Sequence, residues 1–422
     1  MISLEKNIYT NKYIEVMNIL KTQFVSFILL TSTLVACDNK EVDEKILKKD
    51  TKEIFENPMD EINKIEVTNL YDTEIITITG QDGIQFDGLL KINPKDKTDK
   101  LVIFVNGLGP NTYENKRPLT ENKVFIYHEV LGNQIVDDNT AYFSYNTRGV
   151  TLGSKPPLYA NIDEQIYKTY LPNNAIKDVE QIVNTLKADE RLKDAKVYLL
   201  GWNEGSTIAT HVAYRNNVLL DGLLLAGYMN EGMKEILEWQ LSGGSSMVNY
   251  GIWFDENKDG KITEEEFSKD KYKMVKNLGI LFSDIDINKD KVINEEDFEI
   301  LLEPYKLDVY TAIEQDNDKW LKENYSLQLT ARWFNEYFKL EPNKNILPKL
   351  NLPVYIFQGT NDATTPVAGA RNMQEIIKIN NKKNITIDIF EGEDHNLNFD
   401  QFLLYGIFSK GLQAIFNTIK SF

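Results

Sequence analysis

Six short stretches of this chain, residues 101–105, 141–145, 197–200, 223–226, 354–357 and 385–390, are rich in Val, Ile, Leu, Phe and Tyr and show no sustained polar alternation. A strand covered on both faces has no solvent side to mark with polar residues, so the pattern predicts a buried parallel sheet. Between these runs, residues 174–187 set Ile176, Val179, Ile182, Val183 and Leu186 at helical spacing, and comparable stretches cover 207–215, 368–379 and 402–419. Alternating strands and helices predict a three-layer α/β domain. Ahead of it, residues 65–68, 75–79 and 86–92 are β-prone runs separated by turn residues such as Asp82-Gly83, and predict antiparallel strands that open the sheet. The rhythm breaks between Tyr228 and about residue 350.

The first 63 residues follow another logic. Residues 24–36 form an apolar stretch preceded by Lys21, too short to span a bilayer as a helix, and it reads as a signal peptide. Its end, Leu34-Val35-Ala36-Cys37, resembles the bacterial lipobox, which implies that Cys37 is lipidated and begins the mature chain. The alternative, a buried helix with Cys37 as a small core residue, lacks an amphipathic continuation. Residues before Met17 lack a compact basic start, so Met17 is an alternative initiator. Residues 38–63 are a Lys/Asp/Glu-rich linker, too polar to pack and suited to holding a domain off a membrane. The whole chain of 422 residues is 42% hydrophobic, enough for a large core, and its 47 basic against 64 acidic residues give a net charge of −17. That sign excludes sequence-independent nucleic-acid binding. A single cysteine excludes an intrachain disulfide or a thiolate-clustered zinc site.

At Gly201-Trp202-Asn203-Glu204-Gly205 an expected strand passes directly into an expected helix. The pattern resembles the nucleophile elbow G-x-S-x-G, and with it the chain resembles the α/β-hydrolase superfamily, its serine esterase and peptidase branch, over residues 64–229 and 349–422. The resemblance implies Asp362 as the acid after the strand at 354–357 and His395 as the base after the last strand, in the family's chain order. It also implies an oxyanion loop at Asn106-Gly107-Leu108-Gly109-Pro110, with Leu108 and Glu204 as the backbone donors, and a strand-end segment at Asn146-Thr147-Arg148-Gly149. The nucleophile position holds Asn203.

An amide nitrogen is not basic and an amide oxygen forms no useful acyl intermediate, so the serine mechanism is broken as written. Removing the nucleophile of such a triad costs about a millionfold in one protease. Ser206 lies in the first turn of the helix and is expected to face the helix backbone. Conversion of Asn203 to aspartate is disfavoured by Glu204 in the following position, where glycine makes asparagine labile. Asp362 and His395 could instead activate water directly, with Asn203 and the Glu204 N–H polarising the substrate. The bland readings are that Asp362 is a turn residue and that His395 is a hydrogen-bonded structural histidine, as His211 is expected to be.

The break in rhythm, residues 230–348, falls where this superfamily carries a cap, and it contains two loops that resemble EF-hands. In the first, Asp255, Asn257 and Asp259 supply hard oxygens, Gly260 allows the turn, and the Lys261 carbonyl, Thr263 through water and Glu266 complete a shell of about seven oxygens suited to Ca2+. The second offers Asp286, Asn288, Asp290, the Val292 carbonyl and Asp297, with two departures: Lys291 at the glycine position and Asp297 one methylene shorter than glutamate. This second loop is also similar to a dockerin loop. Ile262 and Ile293 are placed to pair, and Phe254, Phe267, Phe282, Phe298, Trp253, Leu281, Leu301 and Leu302 are expected to form the pair's core. Ser242-Gly243-Gly244-Ser245-Ser246 reads as a flexible hinge or a substrate-facing loop.

The expectation is therefore a three-layer α/β-hydrolase sheet with a helical cap insertion, on an exported lipoprotein held on the periplasmic or cell-surface side of a bacterial membrane. Its ligand is a small ester, amide or related acyl compound, either hydrolysed or, alternatively, only bound under calcium control, with a protein partner of the cap as a further option. Nucleic acid is not expected as a partner.

Overall fold

The computed structural model describes residues 71–93, 97–120, 123–271, 273, 280–325 and 327–422. The signal-like segment, Cys37, the polar linker and the expected strand at 65–68 lie outside them. Each of the other expected strands forms: β1 (Asp72–Thr79), β2 (Gln85–Ile92), β3 (Lys100–Val105), β4 (Thr140–Tyr145), β5 (Lys196–Trp202), β6 (Gly222–Ala226), β7 (Val354–Gly359) and β8 (Ile385–Phe390). They make one sheet in the order β1-β2-β4-β3-β5-β6-β7-β8. β2 runs antiparallel to both β1 and β4, and every other pairing is parallel. All six residues of β3 and of β4 are buried, which is why those runs carry no alternation.

Helices cover both faces. α1 (Tyr127–Ile135) and the C-terminal helices pack on one side, while α2 (Pro172–Lys187) and α3 (Glu204–Arg215) pack on the other. In α2, Ile176, Val179, Ile182, Val183 and Leu186 are all buried, as their spacing predicts. Burial of each side chain of this size contributes about 1.5–3 kcal/mol. This layered arrangement is the α/β-hydrolase fold. The expected helix at 402–419 is instead two, Phe399–Tyr405 and Lys410–Ser421. Gly406, left-handed at φ 69°, ends the first, and the Ser409 hydroxyl caps the second by accepting from Leu412 N.

The insertion between β6 and β7 is helical and holds a small core of its own, built from Tyr250, Phe254, Ile262, Phe267, Phe282, Ile293, Phe298, Leu301 and Leu302 among others. Leu281, expected in that core, is 54% exposed, because it serves as the N-cap of a short helix at Phe282–Ile285. Trp253 packs at the core's edge. The segment expected to be a hinge is a close-packed corner between α4 (Met233–Leu241) and α5 (Gly244–Phe254). Gly243 has φ 99°, and a Cβ there would stand 2.6 Å from Phe298 Cβ.

Candidate functional site

Asn203 sits between the end of β5 and the start of α3 with φ 55° and ψ −121°. Two glycines impose that turn. A Cβ at Gly201 would lie 2.3 Å from Gly205 O, and one at Gly205 would lie 2.1 Å from Val105 O, so strand, turn and helix close to distances only glycine permits. Asn203 N donates to Ala226 O at 3.0 Å, tying the turn to β6. Ser206 is turned into the helix as expected: its hydroxyl donates to Asn203 O at 2.6 Å and accepts from Met229 N.

The acid and the histidine meet. His395 Nδ1 lies 2.8 Å from Asp362 Oδ2, and both residues are buried. Asp362 also accepts from the Thr364 and Thr365 amides, the Thr365 hydroxyl and Gln358 Nε2. Burial alone would raise the Asp362 carboxyl, but its histidine neighbour and the Thr365 donors hold it below the ordinary carboxylate value. For His395, burial works against the charged ring and the Asp362 carboxylate outweighs it, leaving the pKa raised. The carboxylate fixes the proton on Nδ1 and leaves Nε2 free as a base. Trp202 Nε1 donates to His395 O at 2.9 Å, and Gln358 Oε1 accepts from Tyr228 N while its amide holds Asp362. The sequence reading missed both supports. Trp202, the neighbour of Asn203, carried a signal, but Gln358 carried none.

Asn203 and His395 line one pocket of about 100 Å³ with Leu108, Trp202 and, from the insertion, Leu327. The insertion thus caps the site. On the loop after β3, Asn111 Nδ2 reaches the carbonyl oxygens of Gly107, Leu108 and Gly109 at 3.0, 3.3 and 3.1 Å. The loop is thereby held with its carbonyls gathered on Asn111. The Leu108 N–H and the Glu204 N–H have no acceptor among the described residues, as oxyanion donors require. The Glu204 side chain points the other way, fully buried, with Oε2 accepting from Tyr170 Oη at 2.8 Å. Burial pushes its pKa up to about 8, and the Tyr170 hydroxyl and Trp333 indole draw it only part of the way back. Of the remaining expected pieces, Arg148 makes a buried two-pronged pair with Asp178 and reaches Asp82 at 2.7 Å. His211 bonds Glu341 O, as a structural histidine does.

In the insertion, the two acidic loops lie side by side, with Ile262 opposite Ile293 in a short antiparallel pair. Gly260 has φ 79° and Lys291, at the matching position, has φ 72°, so both loops turn the same way. In the first loop Asp255 accepts from the Asp259 and Gly260 amides, Asn257 from the Asp259 amide and Asp259 from the Lys261 amide. Thr263 and Glu266 form a reciprocal helix cap for α6 (Glu264–Lys269), a role the expected water-linked donor did not include. In the second, Asn288 and Asp290 accept from the Asp290 and Val292 amides, and Asp297 is buried and accepts from the Ile287 and Asn294 amides. Asp286 is 9% exposed, and its Oδ1 is buried without a donor. Among the described residues no three His, Cys, Asp or Glu side chains converge as a metal cluster; the carboxylates of Asp255, Asp259 and Asp297 are turned to their own loops' amides.

No family model matches the sequence, and no curated protein matches it either. The structure is similar to an esterase from Exiguobacterium antarcticum, 15% identical at a TM-score of 0.41, over 82% of this chain and 98% of that one. It is also similar to a thermostable carboxyl esterase from Bacillus coagulans, 12% identical at a TM-score of 0.47, over 83% and 98%. An α/β hydrolase from a Penicillium species is 12% identical at a TM-score of 0.45, over 83% and 97%. These likenesses concern shape alone.

Proposed function

We propose that this chain is a calcium-binding α/β-hydrolase-fold lipoprotein whose pocket binds an ester, amide or related acyl compound without forming an acyl-enzyme. The observation that carries this is Asn203 at the tip of the elbow, in a pocket it shares with His395. Its amide cannot give up a proton to His395 Nε2 or hold an acyl group, but it can donate to and accept from a carbonyl compound. The two unpaired amide N–H groups, from Leu108 and Glu204, would take the carbonyl oxygen.

The intact Asp362–His395 pair favours a second reading, a slow hydrolase. His395 Nε2 takes a proton from water, the hydroxide attacks the carbonyl carbon, the amides hold the oxyanion, and His395 returns the proton to the departing alkoxide or amine. Hydrolysis of short-chain aryl esters separates the two, measured for the native chain, Asn203→Ser and His395→Ala, each with calcium and with a chelator. Native turnover that His395→Ala abolishes refutes the binding reading. Activity confined to Asn203→Ser supports it.

The two loops fit Ca2+ in part. The buried, donorless Asp286 Oδ1 and the shared left-handed turn at Gly260 and Lys291 support a cation there. Asp255, Asn257, Asp259, the Lys261 carbonyl and Glu266 would hold one ion, and Asp286, Asn288, Asp290, the Val292 carbonyl and Asp297 another. Bound calcium supplies charge neutralisation that ties the loop pair to its aromatic core, a structural staple more than a sensor, since calcium outside the cell is plentiful. Thermal unfolding checks it: calcium, but not magnesium at equal concentration, is expected to raise the Tm. Lipid on Cys37 would hold the protein to a membrane, and Cys37→Ser should release it to the soluble fraction. Among the described residues no helix is long and apolar enough to cross a bilayer.

A further inference from the structure

The chain carries 64 acidic residues against 47 basic ones, yet none of the residues lining the pocket around Asn203 and His395 is an aspartate or glutamate. What lines it instead is rich in donors: Arg117, Asn111, Asn115, Asn203, His395 and Asn396. Arg117 lies on a hairpin strand, Lys116–Thr120, that follows the loop after β3. Among the described residues it has no carboxylate partner, and its guanidinium carbon lies over the face of the Tyr127 ring, 5.6 Å from the centroid. Burial lowers its pKa, as it would for any cation held away from water without a counter-charge. Its field is felt nearby: His128 is held neutral, with a pKa of about 3, by burial first and then by Arg117.

A guanidinium half-withdrawn from water and left unpaired is unfavourable unless a bound anion completes it. The fork of N–H donors matches a carboxylate in two parallel hydrogen bonds, and the surrounding amides add neutral donors. We propose that Arg117 is the recognition residue of this pocket and that its ligand carries a carboxylate, so that the site takes short acyl compounds that are acids in preference to their neutral counterparts. The inference rests on the acyl-pocket reading above and adds the charge of the ligand and the residue that reads it.

The test is isothermal titration of the detergent-solubilised full chain with butyrate and hexanoate, and with butyramide and hexanamide as uncharged matches. Native protein is expected to bind each acid about tenfold or more tightly than its amide, the worth of a charge-assisted pair. Arg117→Gln should bring the two to within about twofold, the range left by neutral hydrogen bonds, while Arg117→Lys, which keeps the charge but not the fork, should keep part of the preference. If Arg117→Gln does not fold, added salt on the native protein decides: it should weaken acid binding and spare amide binding. Equal binding of acids and amides, or a preference that survives in Arg117→Gln, overturns the proposal and leaves the acyl pocket standing. If neither class binds, the acyl-pocket reading fails and this inference fails with it.

Discussion

Replacing Glu204 by glutamine should remove most of the loss of stability that this protein suffers as pH rises from 5 to 8. The carboxyl lies under the elbow, fully buried, with one oxygen held by the Tyr170 hydroxyl and the other unpaired. It ionises near 4.5 when solvated and at about 8 when folded. Between those values the unfolded chain has released the proton and the native protein still holds it, so native stability falls as pH rises; below 4.5 and above about 8 the two states match and the slope vanishes. At 1.36 kcal/mol per pH unit the fall over that window is about 5 kcal/mol, most of it between pH 5 and pH 8. Glutamine has the same shape and cannot ionise, but its amide must re-pair in a site built around a carboxyl, at about 1 kcal/mol. Glu204→Gln is therefore expected to be slightly less stable than the native protein at pH 5 and several kcal/mol more stable at pH 8, the two curves crossing in between. Asp394, raised to about 6 by burial, and His395, raised by Asp362, add their own slopes, but equally to both proteins. Urea midpoints at four pH values in this range, with the m-value checked for constancy, give the difference. A difference that does not change with pH would refute the argument, since a neutral buried carboxyl is its only source.

Three further perturbations follow from the geometry. Gly205→Ala would drive a Cβ to 2.1 Å from Val105 O, a backbone atom that cannot turn aside, so a loss of about 3 kcal/mol or more is expected as a lowered Tm. Lys291→Gly should stabilise the insertion by about 1 kcal/mol, because φ 72° is strained for lysine and free for glycine, and should sharpen the thermal response to calcium; a lowered urea midpoint would contradict it. Asp178→Ala leaves the buried Arg148 guanidinium short of its two-pronged partner, with about 3–5 kcal/mol lost by denaturant titration; a loss below about 1 kcal/mol would place the worth of Arg148 elsewhere.

The sheet was legible in the sequence because strands buried on both faces write unbroken apolar runs, and the order of elbow, acid and histidine could be read because each sits at a strand end. What escaped depends on contacts between distant parts of the chain. Gln358 joins Tyr228 to Asp362, and Arg117 enters the pocket from a hairpin with no motif of its own. Gly243-Gly244 looks flexible in one dimension, yet in three it is where two helices touch. The split at Gly406 was available in principle, since a glycine three residues before a capping serine is a stop and a start.

Asn203 shows most clearly how scaffold and chemistry separate. Its backbone sits at φ 55° and ψ −121°, a conformation that costs a non-glycine residue about 1–3 kcal/mol. That strain is imposed by Gly201, Gly205 and the strand they press against, not by the side chain at the tip. The turn therefore presents whatever residue occupies it, amide or hydroxyl, at the same place above the sheet. With Asp362, His395 and the amide donors already in position, Asn203→Ser changes the side-chain chemistry without rebuilding the site. The appearance or absence of turnover in that variant then reports on the nucleophile alone.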